Sequence, residues 1–336
     1  MVVGMTLAPE RHPNRDFFIL DLQDIAPKDD TASAEHPFFS LSTRPDMRHL
    51  HYGHEGNALH IRPSGIGLPT IFDKDVLIFC ISQIMALRNA GKPYGKKVRF
   101  SARDLLIATN RRTGGIEYKR LEEAFARLIG TTFTTNITHA ADHHETQIFS
   151  MVDSGGFATD PYSHRLKYCE ITLSDWMMDQ IEATAVMTIS PKYFQLRRPL
   201  ERRIYEIARK HCGKQPRFQI GLGKLQAKTG STAPLKKFRL NLRQIIADDH
   251  TPDYKIELDD NDLVTIKPRK AAPRVLSPNI QIPAWADEKA RDISRAKGWD
   301  FHALESEFKA WAGGKAPPKC YGAAFVGFVK KKENLR

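Results

Sequence analysis

Apolar positions along this chain follow two periods that succeed one another, the 3.6-residue repeat of helices and the two-residue repeat of strands. From Asp73 to about Asn89, positions Val76, Phe79, Cys80, Gln83, Ile84 and Leu87 recur at the helical period, and Gly91 stops the run. Short apolar stretches broken by Gly and Pro over 57–72 predict strands before it. A brief strand over 97–100 then leads to Ser101, placed to cap a helix over 102–109. After a Gly- and Arg-rich turn at 110–115, a helix over 116–129 puts Leu121, Ala124, Phe125, Leu128 and Ile129 on one face. Residues 131–138 and 145–152 alternate as a β-pair with a polar tip at 139–144, and a strand over 168–173 runs into a helix capped by Ser174. Helix, strand, helix, turn, helix, hairpin is the order of a winged helix.

The order repeats after Pro191. A helix over 200–210 buries Leu200, Ile204, Ile207 and Ala208, and a strand follows at 218–220. A short helix lies near 222–228, a turn with a cap at Gly230 and Ser231, and a long helix at 233–247. Residues 254–258 and 263–267 alternate as a hairpin. The pattern predicts an α+β chain of two tandem winged-helix domains plus a small C-terminal helical segment. Its divisions are a loose N-terminal arm over 1–35 with one ordered patch at 17–20, a first winged helix over 36–188, and a second over 189–269. A proline-broken linker at 270–283 and the helical segment at 284–336 complete the chain. The last piece is small enough to depend on packing against something else.

Charge sharpens this picture. The chain has a net charge of +12, yet between Pro191 and Ala247 fifteen Lys and Arg face only Glu201 and Glu206. This local excess exceeds that of the whole protein, so the remainder is near neutral. An ordered basic face on folded helices points to a phosphate backbone. No apolar run approaches the length of a membrane span, and Glu10, Arg11, Arg15 and Asp16 stand where a secretory core would lie. The four cysteines are scattered without a CxxC pair, as expected of reduced thiols in a cytoplasmic protein with no membrane association.

On a wheel of residues 235–246, Leu235, Phe238, Leu242, Ile245 and Ile246 fall on one side. Lys236, Lys237, Leu240, Arg243 and Gln244 fall on the other, with Arg239 and Asn241 at the flanks. Arg, Asn and Gln are the side chains that make bidentate hydrogen bonds to base edges in a major groove. Ser231 or Thr232 at the helix start can donate to a phosphate. Lys224 and Lys228 come from the preceding helix, and Lys267 with Arg269 extends the hairpin side toward the backbone. The first module repeats the theme more weakly, with eleven basic residues and four acids between Arg88 and Arg127. Arg111, Arg112 and Lys119 are its candidate phosphate contacts, against the alternative that this module chiefly mediates dimer contacts.

Catalytic signals are thin. His49, Leu50 and His51 spell the His-hydrophobe-His pattern with which rolling-circle nucleases hold a metal beside a tyrosine, for which Tyr193 or Tyr205 would serve. The stretch around them reads as loop, not strand, and His54, His60, His139, His143 and His144 lack Asp, Glu or Cys partners at ligand spacing. Gly221, Gly223 and Lys224 miss the phosphate-loop spacing. The expectation is a non-enzyme with no catalytic residues, metal or cofactor.

Three segments carry a family resemblance: GKPYGKKVRFSARDLLIATNRRTGGIEYKRLEEAFARLIGTTFTTNI (91–137), LRRPLERRIYEIARKHCG (196–213) and LQAKTGSTAPLKKFRLNLRQI (225–245). Together they resemble the bacterial plasmid replication initiator protein A family over roughly residues 36–270. AAFVGFVKKK (323–332) is a shorter likeness to the closing segment of various phage and plasmid replication proteins. The resemblance implies an initiator that binds repeated origin sites (iterons) in double-stranded plasmid DNA, opens the duplex, and recruits the host replicative helicase and chromosomal initiator. It also implies a reading helix at 234–246, and an inactive homodimer joined through residues 36–185. A winged-helix transcriptional regulator is the alternative, and a rolling-circle nicking enzyme a more distant one.

Overall fold

Two segments of the chain build their sheets in the same way, as the computed structural model makes plain. It describes residues 7–11, 17–20, 37–54, 57–136, 146–159, 161–162, 166–182, 186–213, 215–269, 282–297, 305, 308, 312 and 320–333. In the first segment, α1 (Lys74–Asn89), β4 (Lys97–Phe100), α2 (Ala102–Ala108) and α3 (Gly115–Gly130) lead to β7 (Val152–Thr159) and β8 (Leu166–Leu173). In the second, α5 (Pro199–His211), β10 (Phe218–Gly221), α6 (Leu222–Thr229) and α7 (Leu235–Asp248) lead to β11 (Tyr254–Leu258) and β12 (Leu263–Pro268). Each early strand pairs antiparallel with the last strand of its segment, giving the orders β4-β8-β7 and β10-β12-β11. Val98 stands opposite Ile171 and Ile220 opposite Val264, all four buried, so both sheets turn an apolar face to the core.

The first segment carries additional structure. β2 (Leu50–His54), β3 (Asn57–Arg62), β5 (Thr132–Thr135) and β6 (Gln147–Phe149) form a separate four-stranded sheet. The pair expected around 139–144 therefore belongs to this sheet, and the hairpin after α3 is β7–β8. Alternation could not reveal β7, because Val152–Thr159 reads Gly-rich and polar. Its Gly155 is required by packing: a Cβ there would come within 2.9 Å of the Phe125 ring on α3. β2 also corrects the expectation of a loop around His51.

The N-terminal arm is ordered where it is described. β1 (Phe17–Leu20) pairs with β9 (Val186–Ile189), which follows α4 (Asp175–Glu182), and the Phe17 ring meets Phe194 edge-on at 5.0 Å. The Phe18 amide donates to Ser82 Oγ at 2.9 Å, and the Arg11 amide to Asn110 Oδ1 at 2.7 Å. Ser174 accepts from the Met177 amide as expected of a cap, whereas Ser101 makes no side-chain cap bond.

Described residues through Arg269, apart from 89–92, form one compact unit. The second unit holds α8 (Ala284–Lys297) and α9 (Tyr321–Glu333), and it has a small core of its own around Ala290, Phe308, Phe325 and Val329. The segment, expected to depend on packing against something else, thus also has apolar contacts within itself.

Within the first unit, α1 and α5 are buried on nearly all sides, so neither shows the one-faced pattern expected of it. Their facing surfaces carry charge. Asp75, fully buried on α1, accepts from Arg202 Nη1 at 2.8 Å and from Arg111 Nη2 at 2.8 Å. Its neighbour Lys74 donates to Glu206 of α5 at 2.9 Å, and Glu206 also accepts from the Tyr193 hydroxyl at 2.8 Å and from Arg203 at 3.3 Å. Burial alone would raise the Glu206 carboxyl, but Lys74 and Arg203 outweigh it and hold it below the ordinary carboxylate range. The Arg202 guanidinium lies 4.5 Å from the Phe72 ring centroid and 4.8 Å from that of Tyr193. Removing one member of such a network strands a buried charge. Asp75→Ala is expected to cost about 3–5 kcal/mol in denaturant unfolding, whereas Lys97→Ala, which breaks an exposed pair with Glu170, leaves the midpoint unchanged.

Candidate nucleic-acid interface

α7 is anchored by Phe238, Leu242 and Ile245, all fully buried, each of which stabilises the fold by about 1.5–3 kcal/mol. The opposite face exposes Lys236, Lys237, Leu240 and Arg243. Lys236, Leu240 and Arg243 fall at i, i+4 and i+7, so one stripe places an apolar side chain between two cations. Leu240 is 59% exposed, and Leu235, expected on the anchoring side, is itself 39% exposed.

The flanks of α7 are occupied by the protein's own groups. Arg239 Nε donates to Asp262 Oδ1 at 2.8 Å, and its Nη2 to the second oxygen. Asp262 sits in the turn between β11 and β12, held in the left-handed region at φ 59. Gln244 donates along the helix to Asp248 at 2.9 Å, and Asn241 is half-buried. The helix begins at Leu235 after Pro234, with no side-chain cap, so half-buried Ser231 and exposed Thr232 lie in the preceding turn and not at the helix start. That turn is fixed by Gly230 at φ 73, where a Cβ would collide with the Pro37 ring.

Several expected contacts are spoken for. Lys228 is buried in α6, and its carbonyl accepts from Arg203 at 3.0 Å, so it is withdrawn from the surface. Lys267 is paired with Glu257 at 2.6 Å and Arg269 with Asp249 at 2.6 Å. The tip that follows β11 carries Asp259, Asp260 and Asp262, so this hairpin does not extend the basic face. Arg111 is bound to Asp75 in the core and donates to the Phe72 carbonyl, whereas Arg112 and Lys119 are exposed as expected. The basic bias of α5 is largely internal too: Arg202 and Arg203 are buried, and Arg198 reaches Asp248 at 2.5 Å. The cations left exposed on α6 and α7 are Lys224, Lys236, Lys237 and Arg243. Sequence reasoning missed Asp262 as a counter-charge, although the acid-rich turn of a hairpin next to a basic helix was the available signal.

The two tyrosines weighed for a nicking reaction lie in the core. Tyr193 and Tyr205 are fully buried, out of reach of a phosphodiester. His51 and His60 pair across β2 and β3 with their Nδ1 atoms 3.1 Å apart. Among the described residues no three His, Cys, Asp or Glu side chains gather as metal ligands, and His139, His143 and His144 lie outside them. Nor is any described helix long and apolar enough to cross a membrane.

Residues 28–256 match the family model described as replication initiator protein A. The chain belongs to that family. A curated relative, a putative replication protein of Wigglesworthia glossinidia brevipalpis, is 34% identical over 259 residues, covering 76% of this chain and 94% of its own. Among solved structures, domains 2 and 3 of RctB superpose with a TM-score of 0.50 at 11% identity, over 68% of this chain and 92% of that one. This second likeness is one of fold alone. The role that follows from family membership is replication initiation.

Beneath α7, the Arg198–Asp248 pair lies beside Glu201, whose Oε1 is buried without a hydrogen-bond partner among the described residues. Burial, reinforced by Asp248 and opposed by Arg198, pushes the Glu201 carboxyl up to about 7. A raised carboxyl favours the protonated form in the folded state, so its stabilising contribution is complete below the ordinary range and is lost as pH rises through about 7. Thermal melts across this window should show Glu201→Gln matching the wild type in acid and melting higher above neutrality.

Proposed function

We propose that the chain is a non-enzymatic initiator that binds repeated sites in double-stranded origin DNA through two winged helices. α7 of the second module would enter the major groove. α3 of the first, with Arg112 and Lys119, would contact backbone at the other end of the site and support dimerisation. The observation that carries this reading is the exposed Lys236–Leu240–Arg243 stripe on a helix whose other face is locked in the core. Arg243 and Lys236 are donors suited to guanine edges, and Leu240 offers apolar contact to a thymine methyl. Family membership supports an origin as the target, and it supports the host replicative helicase and chromosomal initiator as partners once the duplex is opened.

Footprinting and fluorescence anisotropy on DNA flanking the gene, against random duplex, test the reading. The double variant Lys236→Ala/Arg243→Ala should lose the preference for the origin site while retaining weak general binding. If it binds both duplexes as the wild type does, α7 is not the reading helix. A protected array of direct repeats supports initiation, and a lone palindrome supports a regulator instead. Asp262→Ala removes the carboxylate held by Arg239. It is expected to tighten binding to random duplex several-fold, with a steeper salt dependence of about −0.9 in log–log slope for one added phosphate contact.

A further inference from the structure

Between the two modules of the first unit lies an open cleft of about 640 Å³, lined by eight arginines and three carboxylates. Five of the arginines are already engaged, among them Arg11, whose Nη1 donates to the Asn110 carbonyl at 3.2 Å. Arg111 and Arg202 share Asp75 beneath the cleft, Arg127 grips Asp73 through two bonds of 2.7 and 2.9 Å, and Arg120 meets Glu117 at 2.7 Å. Arg44, Arg112 and Arg197 are different: each is exposed, and none of their side chains makes a hydrogen bond or ion pair among the described residues.

These three come from separate segments, each held in place. The Arg44 loop is fixed by Asp46, which accepts from Ser40 Oγ at 2.7 Å and from Arg48 Nε at 2.7 Å. Arg112 follows Asn110, which adopts φ 56 and is tied to Arg11. Arg197 follows Leu196, whose carbonyl accepts from the buried Arg202 at 3.0 Å. Three rigid segments thus bring like charges to one concavity, above an apolar patch of Leu68, Phe72 and Leu196. Asp73 and Glu117 are taken up by Arg127 and Arg120, so among the described residues the three remaining guanidinium groups stand unpaired on a pre-set frame; phosphate oxygens match such groups, which bind them bidentately. The volume suits a ligand of nucleotide size.

We propose that this cleft is a binding site for a run of phosphate groups, belonging either to a free nucleoside polyphosphate or to a nucleic-acid backbone lying between the modules. No residue of α6 or α7 lines it, so the site stands apart from the proposed reading helix, although it shares Arg112 with the backbone contact proposed for the first module.

The full-length protein is titrated with sodium tripolyphosphate and with ATP by calorimetry, and with duplex DNA by anisotropy across a range of salt concentrations. The cleft variant is Arg44→Ala/Arg112→Ala/Arg197→Ala, and a charge-matched control, Arg103→Ala/Lys192→Ala/Lys255→Ala, alters exposed cations outside the cleft. If the occupant is a free nucleotide, wild type and control bind tripolyphosphate and ATP, and the cleft variant binds them at least about tenfold more weakly. If it is a DNA backbone, the small anions bind all three proteins alike. The salt slope for duplex then falls by about 0.9 per lost contact in the cleft variant alone. Arg112→Glu, a single exposed change, gives the same readings should the triple variant fold poorly. Indistinguishable behaviour of cleft and control variants toward both probes overturns the proposal. Adding the cleft substitutions to Lys236→Ala/Arg243→Ala separates the two proposals, since the further loss, of tripolyphosphate binding or of salt slope, appears whichever way the reading-helix test falls.

Discussion

The buried charges between α1 and α5 are the constraint on which the first unit depends. Lys74 and Asp75 are consecutive residues on one helix, and they face Arg202, Arg203 and Glu206 on the other. Withdrawing these groups from water is costly, and the cost is offset only when every partner sits at its hydrogen-bonding distance. An apolar contact tolerates sliding and rotation; a set of directional ion pairs does not. The two repeated segments are therefore held in one relative orientation. Arg111 joins the same carboxylate from the turn before α3, and at the start of α5 Arg198 holds Asp248 of α7.

This arrangement divides the basic residues into two populations with different work. One set is internal, paired with Asp75, Glu206, Asp73 and Asp248, and it fixes helices to one another. The other is exposed on α7, on the start of α6 and around the cleft, where solvent or a phosphate-bearing partner reaches it. Net charge alone merges the two. The anchored face of α7 and the exposed stripe opposite it belong to the same fourteen residues, so one helical period sets both the packing and the candidate recognition stripe.

Much of the fold was legible because its segments are locally consistent. The 3.6-residue period placed α1, α3, α5 and α7 within a few residues of their observed bounds, and alternation found β11 and β12. β7 escaped because its glycines serve a contact with Phe125 that is remote in sequence, and β2 because Gly and His obscured its alternation. The site was legible only in part. Lys236, Lys237 and Arg243 were found from the wheel, which reports the face of a helix. The burial of Lys228, the pairing of Arg111 and the engagement of Lys267 depend on neighbours brought in by tertiary structure, which no local period encodes.

On the proposed reading of α7, the clasp between Arg239 and Asp262 gives the hairpin turn a part in recognition. Asp262 is a tethered anion already seated where an incoming phosphate or base acceptor would compete for the guanidinium. Any duplex that recruits Arg239 must first evict that occupant, so a sequence offering few other contacts gains little from the exchange. Were α7 to read DNA as proposed, the clasp would act as a toll against indiscriminate attachment, collected most heavily from the wrong sites.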